Sequence, residues 1–117
     1  MPDKPKYDLE ERTLAFSKGV IQFVNSSPKT IANIELSKQV IRSAGSVGAN
    51  YIEANESLGK KDFLMHVRIA KKEAKETGYW LKQFELPTNL EDRRLALIQE
   101  SIELMKILGA IERNSIH

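Results

Sequence analysis

Apolar side chains recur at helical spacing along four stretches of this chain, and turn-forming residues separate the stretches. In the first stretch, Leu9, Thr13, Phe16, Val20 and Phe23 form one stripe. A helix has 3.6 residues per turn, so these positions share one face. No segment alternates apolar and polar residues for long between turn signals, and no strand is therefore predicted. The pattern predicts helices over about residues 8–25, 31–57, 60–85 and 89–112.

Capping and turn residues place the ends of these helices. Asp8 is a candidate N-cap for the first helix, and the turn residues and proline of 25–28 end it. Pro87 ends the third helix, while Thr88 and Glu91 have the spacing of a capping box for the fourth. Because the connections are short, the chain is predicted to be a single all-α domain over residues 1–117, folded as an up-and-down antiparallel four-helix bundle.

Small residues in the two central helices predict close packing of the helices. Gly45 and Gly48 lie inside the second helix, where each glycine costs about 1 kcal/mol relative to alanine. Another backbone approaching closely at these positions would explain their presence. The third helix repeats apolar or small residues in a 4-3-4-3 rhythm at Phe63, Val67, Ala70, Ala74, Thr77, Leu81 and Phe84.

A row of polar residues follows one face of the second helix. We call it the polar seam, and its members lie at offsets of 0, 3, 4, 7, 11 and 14 residues: Gln39, Arg42, Ser43, Ser46, Asn50 and Glu53. The seam runs beside apolar residues such as Val40 and Val47. We therefore expect it to face protein rather than water and to form a partly buried hydrogen-bond network.

The fourth helix carries more apolar surface than one core-facing stripe requires. One stripe contains Leu95, Ile98, Ile102 and Met105, and a second lies beside it at Leu97, Leu104, Leu108 and Ile111. The wide face is either a broad core surface with irregular periodicity or a subunit interface. We favour self-association, with the second stripe as the candidate oligomer interface.

Composition restricts the class of protein. The chain has 117 residues and no cysteine, so disulfide scaffolds and thiolate metal sites are excluded. Its first residues lack an apolar signal core, and no run approaches the roughly 20 apolar residues that span a bilayer. We therefore expect a soluble, cytoplasmic protein without membrane partners. The formal net charge of +2 is too small to indicate nucleic-acid binding from the total alone.

Local clustering of basic residues is more informative than the total charge. The third helix contains six of them, named here the α3 basic cluster: Lys60, Lys61, Arg68, Lys71, Lys72 and Lys75. Repeated around an oligomer, this cluster would produce a positive surface suited to phosphate groups. The alternative is that these residues solvate an exposed helix and pair with nearby carboxylates. Tyr79 and Trp80 can stack on bases, although aromatic residues at such positions more often pack in a core or interface.

The residues needed for catalysis or metal binding do not form a recognisable constellation. A di-metal bundle site requires Glu-x-x-His motifs, but Phe63 and Asn114 precede the two histidines at that spacing. A carboxylate pair of Glu53 and Glu76 is formally possible, without an evident pocket. We expect His66 to be a surface or interface residue. The chain is therefore predicted to be a non-catalytic protein that uses no cofactor or metal.

Two helices carry motifs that resemble a known family. The segment 37–54 of the second helix, followed by Asp62-Phe63, Ile69-Ala70, Lys72-Glu73, Glu76 and Tyr79-Trp80-Leu81, resembles the four-helix-bundle 23S rRNA intervening-sequence proteins. A related branch contains the accessory variability proteins of diversity-generating retroelements. The resemblance implies a homo-oligomer of five subunits, contact with RNA or DNA, and association with a nucleic-acid enzyme such as a reverse transcriptase. It implies no enzymatic activity.

The family pattern selects most of the polar seam. It includes Gln39, Arg42, Ser46, Asn50 and Glu53 on the second helix, and Glu76 on the third. This chain differs from the family pattern at two positions: Ala54 replaces a common glycine, and Glu73 replaces a frequent serine. These differences weaken the argument that a ligand site of the family is also present in this chain. We expect Arg42 to pair with Glu53, Glu73 or Glu76 across the facing helices. The two functions that remain are a nucleic-acid-binding oligomer and a structural or protein-interaction module.

Overall fold

The four predicted helices are present in the computed structural model, which describes the backbone of residues 5–116 and the side chains from residue 9 onward. The helices are α1 (Pro5–Ser26), α2 (Ile31–Asn55), α3 (Lys60–Leu81) and α4 (Glu91–Ile116). A 3₁₀ turn, Thr88–Leu90, precedes α4. Each helix packs against the next along the chain, and α1 also contacts α4. The prediction of an all-α, up-and-down bundle is confirmed.

The bundle is flattened. Its principal extents are 46 × 31 × 19 Å, and its radius of gyration of 15.0 Å exceeds the value of about 13 Å expected for a compact domain of this length. The α1–α4 contact is the smallest helix–helix contact, whereas the α2–α3 contact is the largest. A bidentate ion pair joins α1 to α4, with Arg12 donating to the Glu100 carboxylate at 2.6 and 2.8 Å. This hydrogen bonding raises the pKa of Arg12.

The stripes predicted from periodicity form the core. All five predicted residues of α1 are buried, and Val20 and Phe23 have no exposed surface. On α3 the stripe is buried from Val67 to Leu81, and Phe63 is half-buried. Phe84 is also buried and packs edge-to-face on Phe23, with ring centroids 5.1 Å apart. Burial of each large apolar side chain stabilises the fold by about 1.5–3 kcal/mol.

One of the two α2 glycines allows a close helix approach. A Cβ added at Gly48 would lie 2.8 Å from Thr13 Oγ1 and 3.1 Å from Thr13 Cβ, so α1 and α2 meet here without room for a side chain. At Gly45 the nearest atom to an added Cβ is Ser17 Oγ at 3.8 Å, an ordinary contact. The close-packing prediction is therefore confirmed at Gly48 and is wrong at Gly45.

A buried asparagine links the two connections at one end of the bundle. Asn33 is 1% exposed. Its Nδ2 donates to the carbonyls of Pro28 at 3.0 Å and Glu85 at 2.9 Å, and its Oδ1 accepts from the Glu85 N–H at 2.9 Å. The backbone N–H of Asn33 also donates to the N-cap Thr30 at 3.0 Å. One side chain thus satisfies polar groups of the α1–α2 and α3–α4 connections together.

Several predicted helix ends are corrected by the structure. Helix α1 begins at Pro5, so Asp8 lies within it and is not its N-cap. Helix α2 ends at Asn55 and α3 at Leu81, each before the predicted end. The predicted capping box is wrong, because Thr88 lies inside the 3₁₀ turn and Glu91 accepts a hydrogen bond from Arg94 instead.

An arginine from α4 covers the end of α3. Arg94 Nη1 donates to the carbonyls of Leu81, Lys82 and Phe84 at 3.2, 3.3 and 2.7 Å. The same guanidinium pairs with Glu91, and this hydrogen bonding lowers the pKa of the Glu91 carboxyl. Glu91 therefore orients an arginine rather than capping its own helix.

Candidate nucleic-acid interface

The α3 basic cluster lies on the side of α3 that faces away from the core. Val67, Ala70 and Ala74 occupy the inward side and have no exposed surface. The cluster residues repeat at the same helical spacing but lie on a different face of α3, so their side chains reach solvent. Five of the six cluster members are exposed, and Lys71 is half-buried.

A carboxylate from α4 pairs with two members of the cluster. Glu112 accepts hydrogen bonds from Arg68 Nε at 2.7 Å and from Lys71 Nζ at 2.6 Å. The hydrogen bonds from Lys71 and Arg68 lower the pKa of the Glu112 carboxyl. These two basic residues therefore join α3 to α4, and their charge is partly compensated.

The other four members are available to an external anion. Lys60, Lys61, Lys72 and Lys75 are exposed and form no ion pair with any residue in the described part of the chain. Tyr79 lies one turn beyond Lys75 and is 61% exposed. The outward side of α3 thus combines uncompensated lysines with an accessible aromatic ring.

The polar seam separates into distinct groups. Ser43 is fully buried and accepts a hydrogen bond from the Thr77 hydroxyl at 2.8 Å. Gln39 and Glu53 are exposed. Within the described part of the chain, the backbone carbonyl of Glu53 accepts a hydrogen bond from the Ser57 hydroxyl, but the Glu53 carboxylate forms no hydrogen bond or ion pair. The expectation that the seam faces protein is therefore confirmed for Ser43, Ser46 and Asn50. It is wrong within a single chain for Gln39 and Glu53, because the face is wider than the α2–α3 contact.

The central arginine of the seam lies between two acidic residues of α3. Arg42 Nη1 is 3.7 Å from Glu73 Oε2, and its Nη2 is 3.8 Å from Glu76 Oε1. These are two of the partners expected for Arg42, but both distances are longer than a hydrogen bond. Glu73 is 8% exposed, and its second carboxylate oxygen, Oε1, is buried without a hydrogen-bond partner among the described residues.

A second polar group includes a histidine that the periodicity did not assign to the seam. Asn50 Nδ2 donates to the carbonyl and to the hydroxyl of Ser46, both at 2.9 Å. Its Oδ1 lies 3.1 Å from Nδ1 of His66 on α3. The side chain of His66 is only 20% exposed, and its Nε2 is 3.7 Å from Asp62. The i, i+4 spacing of Asp62 and His66 is the sequence signal for this local pairing.

The candidate oligomer interface on α4 is mostly part of the protomer core. Leu104 and Leu108 have no exposed surface, so they cannot contact another copy and their assignment is wrong. Leu97 and Ile111 are half-buried against the core. The neighbouring stripe is more accessible, with Leu95 59% exposed. Both stripes are apolar in sequence, and the direction of helix packing decides which one is buried.

The part of the chain that the structure describes has neither a metal-binding cluster nor a membrane-spanning helix. The described side chains, those of residues 9–116, contain no group of three or more acidic or histidine residues arranged to hold a metal ion. No helix within residues 5–116 combines the length and apolar character needed to cross a membrane.

Comparisons with known proteins agree with the helix layout. The chain is similar to a crystal structure of a protein with unknown function from the S23 ribosomal protein family of Bacteroides thetaiotaomicron VPI-5482, with a TM-score of 0.72 and 28% sequence identity. The match covers 92% of this chain and 96% of that one. No curated protein matches the chain. The family model described as 23S rRNA-intervening sequence protein matches residues 6–110. Because that match covers most of the sequence, the chain belongs to the family of 23S rRNA-intervening sequence proteins.

Proposed function

We propose that this protein is a non-catalytic, homo-oligomeric helical bundle that contacts RNA or DNA through the outward side of α3. The observation that carries the proposal is the exposure of Lys61, Lys72 and Lys75 without a carboxylate partner among the described residues. Such lysines bind phosphates and release counterions, which gives affinity without reading the base sequence. The net charge of one chain is small, so repetition of this surface in an oligomer strengthens binding.

Family membership supports the same proposal. The proposal includes a relationship to the accessory variability proteins of diversity-generating retroelements, which form five-subunit barrels and associate with nucleic acid and a reverse transcriptase. We include in the proposal an assembly of five subunits and a role as accessory to a nucleic-acid enzyme.

A charge-reversal experiment tests the nucleic-acid contact. The variant Lys61→Glu/Lys72→Glu/Lys75→Glu should bind a labelled oligonucleotide much more weakly than the wild type. The slope of the logarithm of the binding constant against the logarithm of salt concentration should also become less steep, by about one per lost phosphate contact. Fluorescence anisotropy between about 50 and 200 mM salt measures both effects.

A matched control separates local charge from net charge. Reversal of Lys18, Lys29 and Lys38 changes the net charge by the same amount, but these exposed lysines lie outside α3. This control should still bind the oligonucleotide, with only a small loss of affinity caused by the change in net charge. Equal binding by the α3 variant and the wild type would remove the basis for the proposal.

Self-association requires a different surface from the one predicted on α4. Exposed aliphatic side chains form an α1–α2 apolar face, whose members are Leu14, Ile21, Ile34, Ile41 and Ile52. On each helix they repeat at spacings of seven or eleven residues, so they share one side. Helices α1 and α2 pack against each other, so the two rows lie on neighbouring helices. Exposed apolar surface of this kind usually marks association.

Solution mass tests this face. Ile41→Glu should reduce the mass measured by light scattering to that of a monomer, because it places a charge in the apolar contact. Circular dichroism should show an intact fold, since Ile41 is 39% exposed. Leu95→Glu introduces the same charge on exposed α4 surface and should leave the mass unchanged. A wild-type monomer at micromolar concentration would contradict homo-oligomerisation.

The same experiments examine the alternative function, a structural or protein-interaction module without nucleic-acid binding. The α1–α2 apolar face is the observation that favours it. An oligomer that depends on Ile41 but binds no oligonucleotide would establish this alternative.

A further inference from the structure

A shallow groove lies between the second half of α3 and the middle of α4. Its volume is about 200 Å³, and we call it the Tyr79 groove after the residue at its edge. The residues that matter for its chemistry are Lys75, Tyr79, Lys82, Ile98, Ile102 and Met105. The helices approach closely beneath it, because a Cβ added at Gly78 would lie 2.9 Å from Ser101 Oγ.

Tyr79 presents an accessible aromatic ring at this groove. The residue is 61% exposed, although the two residues before it, Thr77 and Gly78, are buried. Its ring contacts Trp80 edge-on, with centroids 5.1 Å apart and planes inclined by 63°. Trp80 is half-buried against the core and thereby supports one side of the tyrosine. The exposed remainder of the ring is free to stack on a flat ligand.

The other walls of the groove combine apolar surface with positive charge. Ile98 and Met105 are half-buried and Ile102 is 38% exposed, which provides an apolar wall from α4. Lys75 and Lys82 are both exposed, and no carboxylate lines the groove. A ligand that complements these walls has flat apolar faces connected to negative charge.

We propose that the Tyr79 groove binds an unpaired base of single-stranded RNA or DNA, with the base stacked on Tyr79 and the flanking phosphates near Lys75 and Lys82. This inference rests on the proposed nucleic-acid binding and specifies its form. Aromatic platforms beside basic side chains bind single strands in this way because every base has a stacking face. A duplex keeps its bases paired and stacked, so it contacts the lysines alone.

Charge distinguishes this ligand from a second copy of the chain. Two copies meeting symmetrically through this groove would bring Lys75 and Lys82 of each near those of the other. Like charges removed from water without a partner oppose association. On the α4 wall the one hydroxyl is that of Ser101, which already donates to the Ile98 carbonyl at 2.6 Å. No free directional group therefore remains on that wall to read base identity, and the site accepts any base.

An oligothymidylate strand and an abasic strand of the same length test the inference. Both carry the same phosphates, but only the first has bases to stack. The wild type should bind oligothymidylate about tenfold more tightly than the abasic strand by fluorescence anisotropy. Tyr79→Ala should remove this preference without changing affinity for the abasic strand. Tyr79→Phe keeps the ring and should retain the preference.

Two further measurements complete the test. Emission from Trp80, the one tryptophan in the chain, should change with oligothymidylate and not with the abasic strand. Leu95→Ala, an exposed apolar change elsewhere on α4, should leave the preference intact. Circular dichroism verifies that each variant is folded.

The possible failures are distinguishable. Equal, salt-sensitive binding of both strands overturns base stacking at Tyr79 but leaves the proposed phosphate contacts in place. Absence of binding to either strand overturns both proposals. A change of oligomer mass in Tyr79→Ala, with the base preference unaltered, shows that the groove instead contacts another copy and overturns the inference.

Discussion

Alanine substitutions at the two α2 glycines should have opposite effects on stability. At Gly45 an alanine methyl group meets Ser17 Oγ at 3.8 Å, so the space is already present. Replacement of a helical glycine by alanine gains about 0.5–1 kcal/mol in conformational entropy and helix propensity. Gly45→Ala should therefore increase the free energy of unfolding by about that amount.

The same substitution at Gly48 meets Thr13, whose side chain is buried and held by hydrogen bonds. The added Cβ would lie 2.8 Å from Thr13 Oγ1 and 3.1 Å from Thr13 Cβ. Thr13 is 1% exposed, and its hydroxyl donates to the Leu9 and Glu10 carbonyls at 2.9 and 3.0 Å. Rotating the side chain would break these hydrogen bonds, so the helices must separate. Overpacking of this kind costs about 1–3 kcal/mol, which exceeds the propensity gain and leaves Gly48→Ala less stable by about 1 kcal/mol.

Urea unfolding followed by far-UV circular dichroism measures both variants at one fixed protein concentration, since assembly affects apparent stability. Adding Thr13→Ala should reduce the cost of Gly48→Ala by about 1 kcal/mol and leave the effect of Gly45→Ala unchanged. Equal stabilisation by the two glycine substitutions would refute the close approach of α1 and α2 at Gly48.

Two other predictions concern charged side chains that join α4 to α3. Arg94→Leu should lower the free energy of unfolding by about 2 kcal/mol in urea denaturation, because three carbonyls after α3 lose a charged donor; an unchanged midpoint would contradict this role. Glu112→Gln should cost about 1 kcal/mol at neutral pH. Since the folded pKa of Glu112 lies below its ordinary value, this difference should persist above the ordinary pKa and disappear as the pH falls through the folded one; a difference that grows in acid would show the opposite linkage.

The sequence was sufficient to predict the helices and most of the core, because burial repeats with the helical period. The stripes of α1 and α3 illustrate this, since Val20, Phe23, Val67 and Leu81 are all fully buried. Periodicity could not choose between the two apolar stripes of α4. Leu104 and Leu95 have the same apolar character, but only the first is in the core.

Long-range polar contacts were the least predictable part of the candidate site. The partner of Arg68 is Glu112, 44 residues away, and no local spacing encodes that pairing. Asn33 likewise connects with Glu85 across 52 residues. The Arg42–Glu73 and Arg42–Glu76 contacts were among the expected pairs because the predicted bundle places the second and third helices against each other. The sequence also could not distinguish exposed seam residues such as Gln39 from buried ones such as Ser43, because both are polar at the same helical spacing.

The proposed surfaces for assembly and nucleic-acid binding share no helix. The α1–α2 apolar face involves only the first two helices, whereas the outward side of α3 and the Tyr79 groove involve the last two. Joining copies through the apolar face therefore leaves the lysines of α3 and Tyr79 accessible on every subunit. In the proposed assembly each subunit would add one weak contact with the same strand, and linked contacts raise overall affinity by a factor of about 10²–10⁴ when the geometry allows simultaneous binding. The proposal therefore predicts that this chain, despite its small net charge, binds a long polyanion tightly when assembled and weakly as a monomer.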